Sequence, residues 1–264
     1  MYWLLRLCGL YSRGERNARN FQIREIEFAF KDLPAAFDGY TILHLSDLHG
    51  DQLAGLMAAA AVRLAPLKPH MVIVTGDIQS YGAPIATVAA DEISALVSAI
   101  DCPDGWVATL GNHDSGDMVE ALESLGVRTL VNESVLISRS GETLCLVGLD
   151  DVHSFYTPQA PAALDRHREG FRIALVHTVE LATHAARAGY DLYLSGHSHG
   201  GQICLPDGKP LMTALDSHRH LAAGRWRLQE MQGYTSRGLG AKFPTVRFNC
   251  PGEAVMISLR RLPD

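Results

Sequence analysis

The chain has 264 residues, 47% of them hydrophobic and 20% charged, and a net charge of −6. That is enough apolar material for a buried core, so wholesale disorder is excluded, and the length favours one large α/β domain over two small ones. No apolar run reaches the ~20 residues that cross a bilayer.

The opening MYWLLRLCGLY is interrupted by Arg6 and lacks the small-residue cleavage site of a signal peptide. Trp3, Leu4, Leu7, Leu10 and Tyr11 recur at near-helical spacing, and Arg6, Arg13, Arg16 and Arg19 add positive charge. Two readings fit this pattern. One is a short helix lying on an anionic membrane surface through residues 1–20; the other is a helix packed on the domain, or a disordered end. Residues 1–25 are therefore set apart as a basic segment ahead of a domain over 26–264. Six short apolar runs, rich in β-branched or aromatic residues, predict strands buried on both faces. They cover residues 41–46, 71–75, 106–110, 143–149, 171–176 and 191–195. Between them, Ala- and Leu-rich stretches over 52–64, 85–100, 118–125 and 179–188 have helical spacing. Such alternation predicts a layered α/β sheet. After Gly201, short pieces over 226–230, 234–236, 245–248 and 254–259 predict a β-rich completion of the same domain.

The charge is unevenly spread. Residues 1–25 hold five arginines against two glutamates, residues 26–208 hold nine basic and 23 acidic side chains, and residues 209–264 hold nine basic and four acidic. A strongly acidic middle argues against a long nucleic acid as partner. The five cysteines are scattered and form no CxxC, which argues against a disulfide framework and fits a reducing compartment. The 12 histidines are more telling, because imidazole is the commonest metal ligand and the usual acid/base group near neutral pH.

Polar clusters close the apolar runs. They are Asp47-Leu48-His49, Gly76-Asp77, Gly111-Asn112-His113-Asp114, the isolated His177, and Gly196-His197-Ser198-His199-Gly200-Gly201. Strand carboxyl ends form one edge of such a sheet, where ligands bind. An extended chain in each His- and Asp-bearing tripeptide would turn both side chains to one side. The set Asp47, His49, Asp77, Asn112, His113, His177, His197 and His199 is what two neighbouring divalent ions need: a carboxylate to share, and nitrogen and oxygen donors for each shell. Taken singly each residue reads as an ordinary turn or cap; jointly that reading is poor.

In these motifs and their order, the sequence resembles the calcineurin-like metallophosphoesterase superfamily. The stretches Gly200–Ile203, Ser236–Gly240 and Arg247–Pro251 resemble a bacterial subgroup of membrane-associated phosphodiesterases that includes UDP-diacylglucosamine pyrophosphatases of lipid A synthesis. The resemblance implies an α/β fold, a four-layer sandwich of two mixed β-sheets flanked by helices. It implies that Asp47, His49 and His199 hold a first metal, that Asp77 bridges, and that Asn112, His177 and His197 complete a second shell. His113 would be the acid/base group and Asp114 would orient it. Ser80 stands where the family often has a second acid. Two divalent ions would be the cofactor, with manganese favoured and iron, zinc or cobalt also suited to mixed N/O shells. Outside the metal set, Arg237 and His153 are expected to line the substrate pocket.

The implied activity is metal-dependent hydrolysis of a phosphodiester or pyrophosphate, with an amphiphilic nucleotide-sugar lipid such as UDP-diacylglucosamine as favoured substrate. Cyclic-nucleotide or general phosphodiesterases and phosphatases would use the same ligands. A non-catalytic scaffold is the competing class, and it would have lost ligands that are all present here. The expected location is cytoplasmic, with a peripheral contact to the inner face of the membrane if residues 1–20 bind lipid.

Overall fold

Alternation along the buried strands decides the architecture. The computed structural model describes residues 2–80, 85–167 and 169–263. In β2 (Thr41–Leu45), Ile42 faces one core while Leu43 and Leu45 face another. The same split recurs in β3 (Met71–Thr75), where Met71 and Ile73 oppose Val72 and Val74. It recurs again in β7 (Glu142–Gly148), where Leu144 and Leu146 oppose Cys145 and Val147. Period-two side chains that are apolar on both faces demand cover on both faces. Each fully buried Leu or Ile contributes ~1.5–3 kcal/mol toward that arrangement.

Two six-stranded mixed sheets result. The first has the order β1 (Gln22–Phe30), β12 (Glu253–Arg261), β2, β3, β4 (Trp106–Thr109), β5 (Val127–Thr129). The second has the order β10 (Gly224–Leu228), β11 (Met231–Thr235), β9 (Leu192–Ser195), β8 (Phe171–Leu175), β7, β6 (Glu133–Arg139). A central core, including Phe28, Ile42, Ile73, Leu146, Ile173, Leu192 and Ile257, lies between them. Helices α3 (Leu56–Leu64), α4 (Ile85–Ala99) and α5 (Asp117–Ser124) belong to the core on the outer face of the first sheet. Helices α6 (Gln159–Arg166) and α7 (Ala182–Arg187) belong to the core outside the second. The four-layer sandwich is thus observed.

Several boundaries differ from the sequence reading. Helix α3 begins at Leu56 because Gly55 takes a left-handed φ of 78° just ahead of it. Residues 245–248 form no strand: Arg247 N–H donates to Gly14, Phe248 N–H to Gln202, so no single partner strand builds a ladder. Strand β1 has no counterpart in the sequence pattern and runs straight through position 25, pairing in parallel with β12 from Gln22 to Phe30. A boundary at residues 25/26 therefore falls inside a strand. Helix α2 (Tyr11–Arg19) packs on the domain, with Gly14 and Ala18 buried and the Asn17 amide donating to the Arg247 carbonyl at 2.9 Å. The short α1 (Tyr2–Leu7) instead leaves Trp3 75% and Leu7 85% exposed. No helix among the described residues is long and apolar enough to cross a membrane.

Candidate metal centre

Two sheets, rather than one edge, deliver the polar clusters. The turns after β2, β3 and β4 of the first sheet supply Asp47, His49, Asp77, Asn112 and His113; those after β8 and β9 of the second supply His177, His197 and His199. Nor are the tripeptides extended. Asp47, His49, Asp77, His197 and His199 have φ of 50°, 41°, 53°, 68° and 50°. Left-handed backbone at non-glycine residues is uncommon and costs free energy, so its concentration on donor residues marks a constrained site. These tight turns leave no room around them: a Cβ on Gly196 would collide with Ser46 Oγ and Asp47 Oδ2. Only glycine can sit there.

The donor atoms fall into two groups that share Asp77. Asp47, His49, Asp77 and His199 form one, and Asp77, His177 and His197 the other, with the ligand atoms of each group within 4.8 Å of one another. In the first, His199 Nε2 lies 3.3 Å from Asp47 Oδ1 and 3.2 Å from His49 Nε2. In the second, His177 Nε2 lies 3.3 Å from Asp77 Oδ2, and His197 Nδ1 lies 2.9 Å from Asn112 Oδ1 and 3.3 Å from His177 Nε2. The sequence-derived ligand residues are therefore brought together around one shared carboxylate.

Backbone carbonyls that no motif reveals set the imidazole tautomers. His49 Nδ1–H donates to the Gln79 carbonyl at 3.0 Å, His177 Nδ1–H to that of Thr75 at 2.7 Å, and His197 Nε2–H to that of Ala214 at 3.2 Å. Each ring thus turns its other nitrogen inward, the one a metal would take. That arrangement needs positive charge at its centre. Burial alone would lower the His177 pKa, but the Asp77 carboxylate, by charge and hydrogen bond, and Asp47 push it up to about 10. Burial pushes Asp47 up to about 6, whereas Asp77 lies well below the usual carboxylate range against the pull of burial, held there by His177 and His49. Burial pushes His49 down to about 4 and His197 to about 3, so both stay neutral. The donor set fits two divalent cations: two carboxylates and four imidazoles, all buried, and the amide oxygen of half-buried Asn112, with one carboxylate common to both groups.

The remaining expected residues lie as follows. His113 lines the cavity, and its backbone N–H donates to Asp77 Oδ1 at 2.9 Å. Burial lowers its pKa below that of ordinary imidazole. Asp114 acts on backbone: its carboxylate accepts the N–H groups of Ile78, Gln79 and Gly111 at 2.9, 3.0 and 2.8 Å, tying two ligand loops together. Ser80 Oγ lies 3.1 Å from His49 Nδ1. Arg237 does not point at the cluster. It pairs with buried Glu253 at 3.0 Å, a carboxylate that Arg24 also meets at 2.7 Å, and packs its stem behind Gly200. His153 does reach the edge, its ring 4.4 Å from that of His197, but its Nδ1 is taken by Glu180 at 3.0 Å.

Beside the cluster opens a cavity of ≈ 320 Å³. Its floor includes Asp77, His113, His197 and His199, and its wall Ile203, Leu211, Met212, Phe243 and Pro244, with Lys242 among the lining residues. Lys242 carries no motif and escapes a reading of the sequence; the Arg247–Pro251 stretch shows a resemblance, but nothing in it reveals that Arg247 is buried.

Comparison with known proteins agrees with this geometry. Residues 40–201, more than half of the chain, match the family described as Calcineurin-like phosphoesterase. The chain is 29% identical over 240 residues to Phosphodiesterase YaeI of Escherichia coli strain K12, covering 87% of this chain and 84% of that one. It is 27% identical over 237 residues to the metallophosphoesterase YkuE of Bacillus subtilis strain 168, covering 86% and 82%. Among solved structures, the Haemophilus influenzae NAD nucleotidase superposes with a TM-score of 0.51 at 16% identity, over 76% of this chain and 46% of that one. TT1561 of Thermus thermophilus does so with a TM-score of 0.51 at 13% identity, over 76% and 90%, and both likenesses bear on the fold alone. The chain belongs to the calcineurin-like phosphoesterase family and is a binuclear metallophosphoesterase, a hydrolase of phosphoester bonds.

Proposed function

We propose that the substrate is an amphiphilic phosphodiester or pyrophosphate, with UDP-diacylglucosamine the favoured candidate. The observation that carries this reading is the cavity, whose floor is the ligand cluster and whose wall is apolar. The ring of Tyr2 lies 5.1 Å from that of the wall residue Phe243, so α1, which exposes Trp3, Leu4 and Leu7, touches that wall through Tyr2. Arg13 and Arg16, exposed on α2, add positive charge to that end of the molecule. A lipid-bearing substrate could leave its acyl chains at this rim while its phosphate reaches the floor. A peripheral contact of α1 with an anionic membrane belongs to the same reading.

Two divalent ions held by the cluster would supply Lewis-acid polarisation of the phosphate and activation of water. The chain's own residues do the rest. Lys242 supplies a positive charge that attracts the phosphate. Burial lowers the His113 pKa. A bound phosphate anion works in the opposite direction, and His113, on the cavity floor, is the group that would pass a proton to the leaving oxygen. The apolar wall excludes water from the rest of the ligand.

A panel of UDP-diacylglucosamine, cyclic nucleotides and simple diesters under one Mn²⁺ condition tests the substrate. The lipid substrate should be turned over with the highest kcat/KM; preference for a cyclic nucleotide or a simple diester would replace this reading with the general phosphodiesterase one. Asp77→Asn should abolish turnover of bis-p-nitrophenyl phosphate and lower bound metal, while His113→Ala should lower kcat by ~10²–10⁴-fold with metals retained. For the membrane, co-sedimentation with anionic vesicles should fall for the triple variant Trp3→Ser, Leu4→Ser, Leu7→Ser. Equal binding would dismiss the contact. A deletion of residues 1–20 is the poorer test, since it removes the packed α2 as well.

A further inference from the structure

We propose a third divalent-cation site, separate from the binuclear pair, formed by His153, Glu180 and Asp216. Their ligand atoms lie within 4.8 Å of one another, and they come from three distant segments: the turn after β7, the turn after β8, and the irregular stretch ahead of β10. The donor set is one imidazole and two carboxylates, so it neutralises a divalent ion, and its mixed N/O character suits Mn²⁺ or Zn²⁺. His153 and Glu180 are half-buried and Asp216 is exposed, which leaves the remaining coordination positions to water.

The donor spacing matches that of the binuclear cluster. There, His177 Nε2 and His199 Nε2 each rest 3.3 Å from a carboxylate oxygen. Here, His153 Nδ1 rests 3.0 Å from Glu180 Oε1 in the same way. Both groups are already held in place. Asp151 accepts the backbone N–H of His153 and folds its turn, and the Thr178 hydroxyl donates to Glu180 Oε2 while accepting the Glu180 N–H. An immobilised His/Glu pair loses little conformational freedom on binding, which favours coordination.

The consequence lies in the position of Asp216. Two residues earlier, the Ala214 carbonyl accepts the Nε2–H of His197, and Leu211, Met212 and Ala214 wall the cavity. An ion at the third site would clamp this segment to the turns after β7 and β8. It would fix the cavity wall and the tautomer of His197 together.

Equilibrium dialysis of the full chain against Mn²⁺, with bound metal counted by mass spectrometry, tests the site. Saturation at three ions per chain is expected, falling to two in His153→Gln and in Asp216→Asn. Asp77→Asn should lose ions of the binuclear pair and keep the third, which separates failure of this site from failure of that centre. Two ions or fewer in the unaltered chain, or equal stoichiometry in Asp216→Asn, would overturn the proposal. Limited proteolysis within residues 205–218 gives a second readout: Mn²⁺ should slow cleavage in the unaltered chain and not in Asp216→Asn. Equal protection in both would remove the clamp.

Discussion

Arg247 heads the largest side chains withdrawn from solvent, at 1% exposure, and the partners of its guanidinium are carbonyls rather than a carboxylate. It donates to the carbonyls of His199, Arg237, Gly238, Gly240 and Cys250, and its Nη2 lies 3.4 Å from His199 Nδ1. The side chain thereby holds the glycine-rich 236–240 turn and the 247–250 segment against a metal ligand. Arg247→Met would leave those carbonyls buried without donors, and a loss of ~3–5 kcal/mol is expected in urea denaturation, together with weaker Mn²⁺ binding. Unchanged stability in that variant would show that water replaces the guanidinium. At this scale the ligands were legible because Asp, His and Asn announce their chemistry by type. Arg247 was not, since an arginine in RFNCP is indistinguishable by type from a surface one until its burial is seen. The carbonyls of Thr75, Gln79 and Ala214 were less legible still, because every residue has a carbonyl and only folding aims it.

Elements were readable where both faces are buried and obscure at the edges. The strands β2, β3, β4, β7, β8 and β9 are near-continuous apolar runs and were found within a few residues. The edge strands β1 (QIREIEFAF) and β6 (ESVLISR) expose one side, so their sequences alternate with charge and lack the continuous pattern. The opposite error, a strand expected over 245–248, followed from β-prone residues whose backbone donors go to α2 and to the 202 turn instead. Helix α2 carries a matching constraint. A Cβ on Gly14 would sit 2.6 Å from Val246 Cβ and 2.7 Å from the Phe248 ring. Gly14→Val should therefore lift α2 and lower stability by ~1–3 kcal/mol, visible as a lower Tm, with the activity of the cold, folded protein largely kept. An unaltered Tm would mean that α2 contributes no packing energy.

For the whole molecule, charge and fold must be considered together. The net −6 and the acidic middle are no obstacle to an anionic substrate, because the site itself gathers cations and imidazoles at the meeting of two sheets. Metal binding there should displace the proton that His177 holds with its pKa near 10. Calorimetric titration of the chelated protein with Mn²⁺ at pH 8, in buffers of different ionisation enthalpy, should report at least one proton released per chain, the one from His177, with any from ion-activated water in addition. The His177 share of that release should disappear as pH rises past about 10, where His177 is already neutral. No release at pH 8 would show that His177 is already neutral in the chelated protein. Binding only to the native state also means that chelation lowers Tm; an ion at a hundred times its Kd is worth ~2.7 kcal/mol. By itself the sequence determined the layered α/β class, the inventory of donors and their order along the chain, because apolar periodicity is local and donor chemistry belongs to the side-chain type. Tertiary structure alone decided that the loops of two sheets meet, that left-handed turns rather than extended chain present the ligands, that Arg237 serves Glu253, and that His153 meets Glu180 and Asp216. Those outcomes depend on packing between elements far apart in sequence, and a linear pattern of residue types carries no record of that distance.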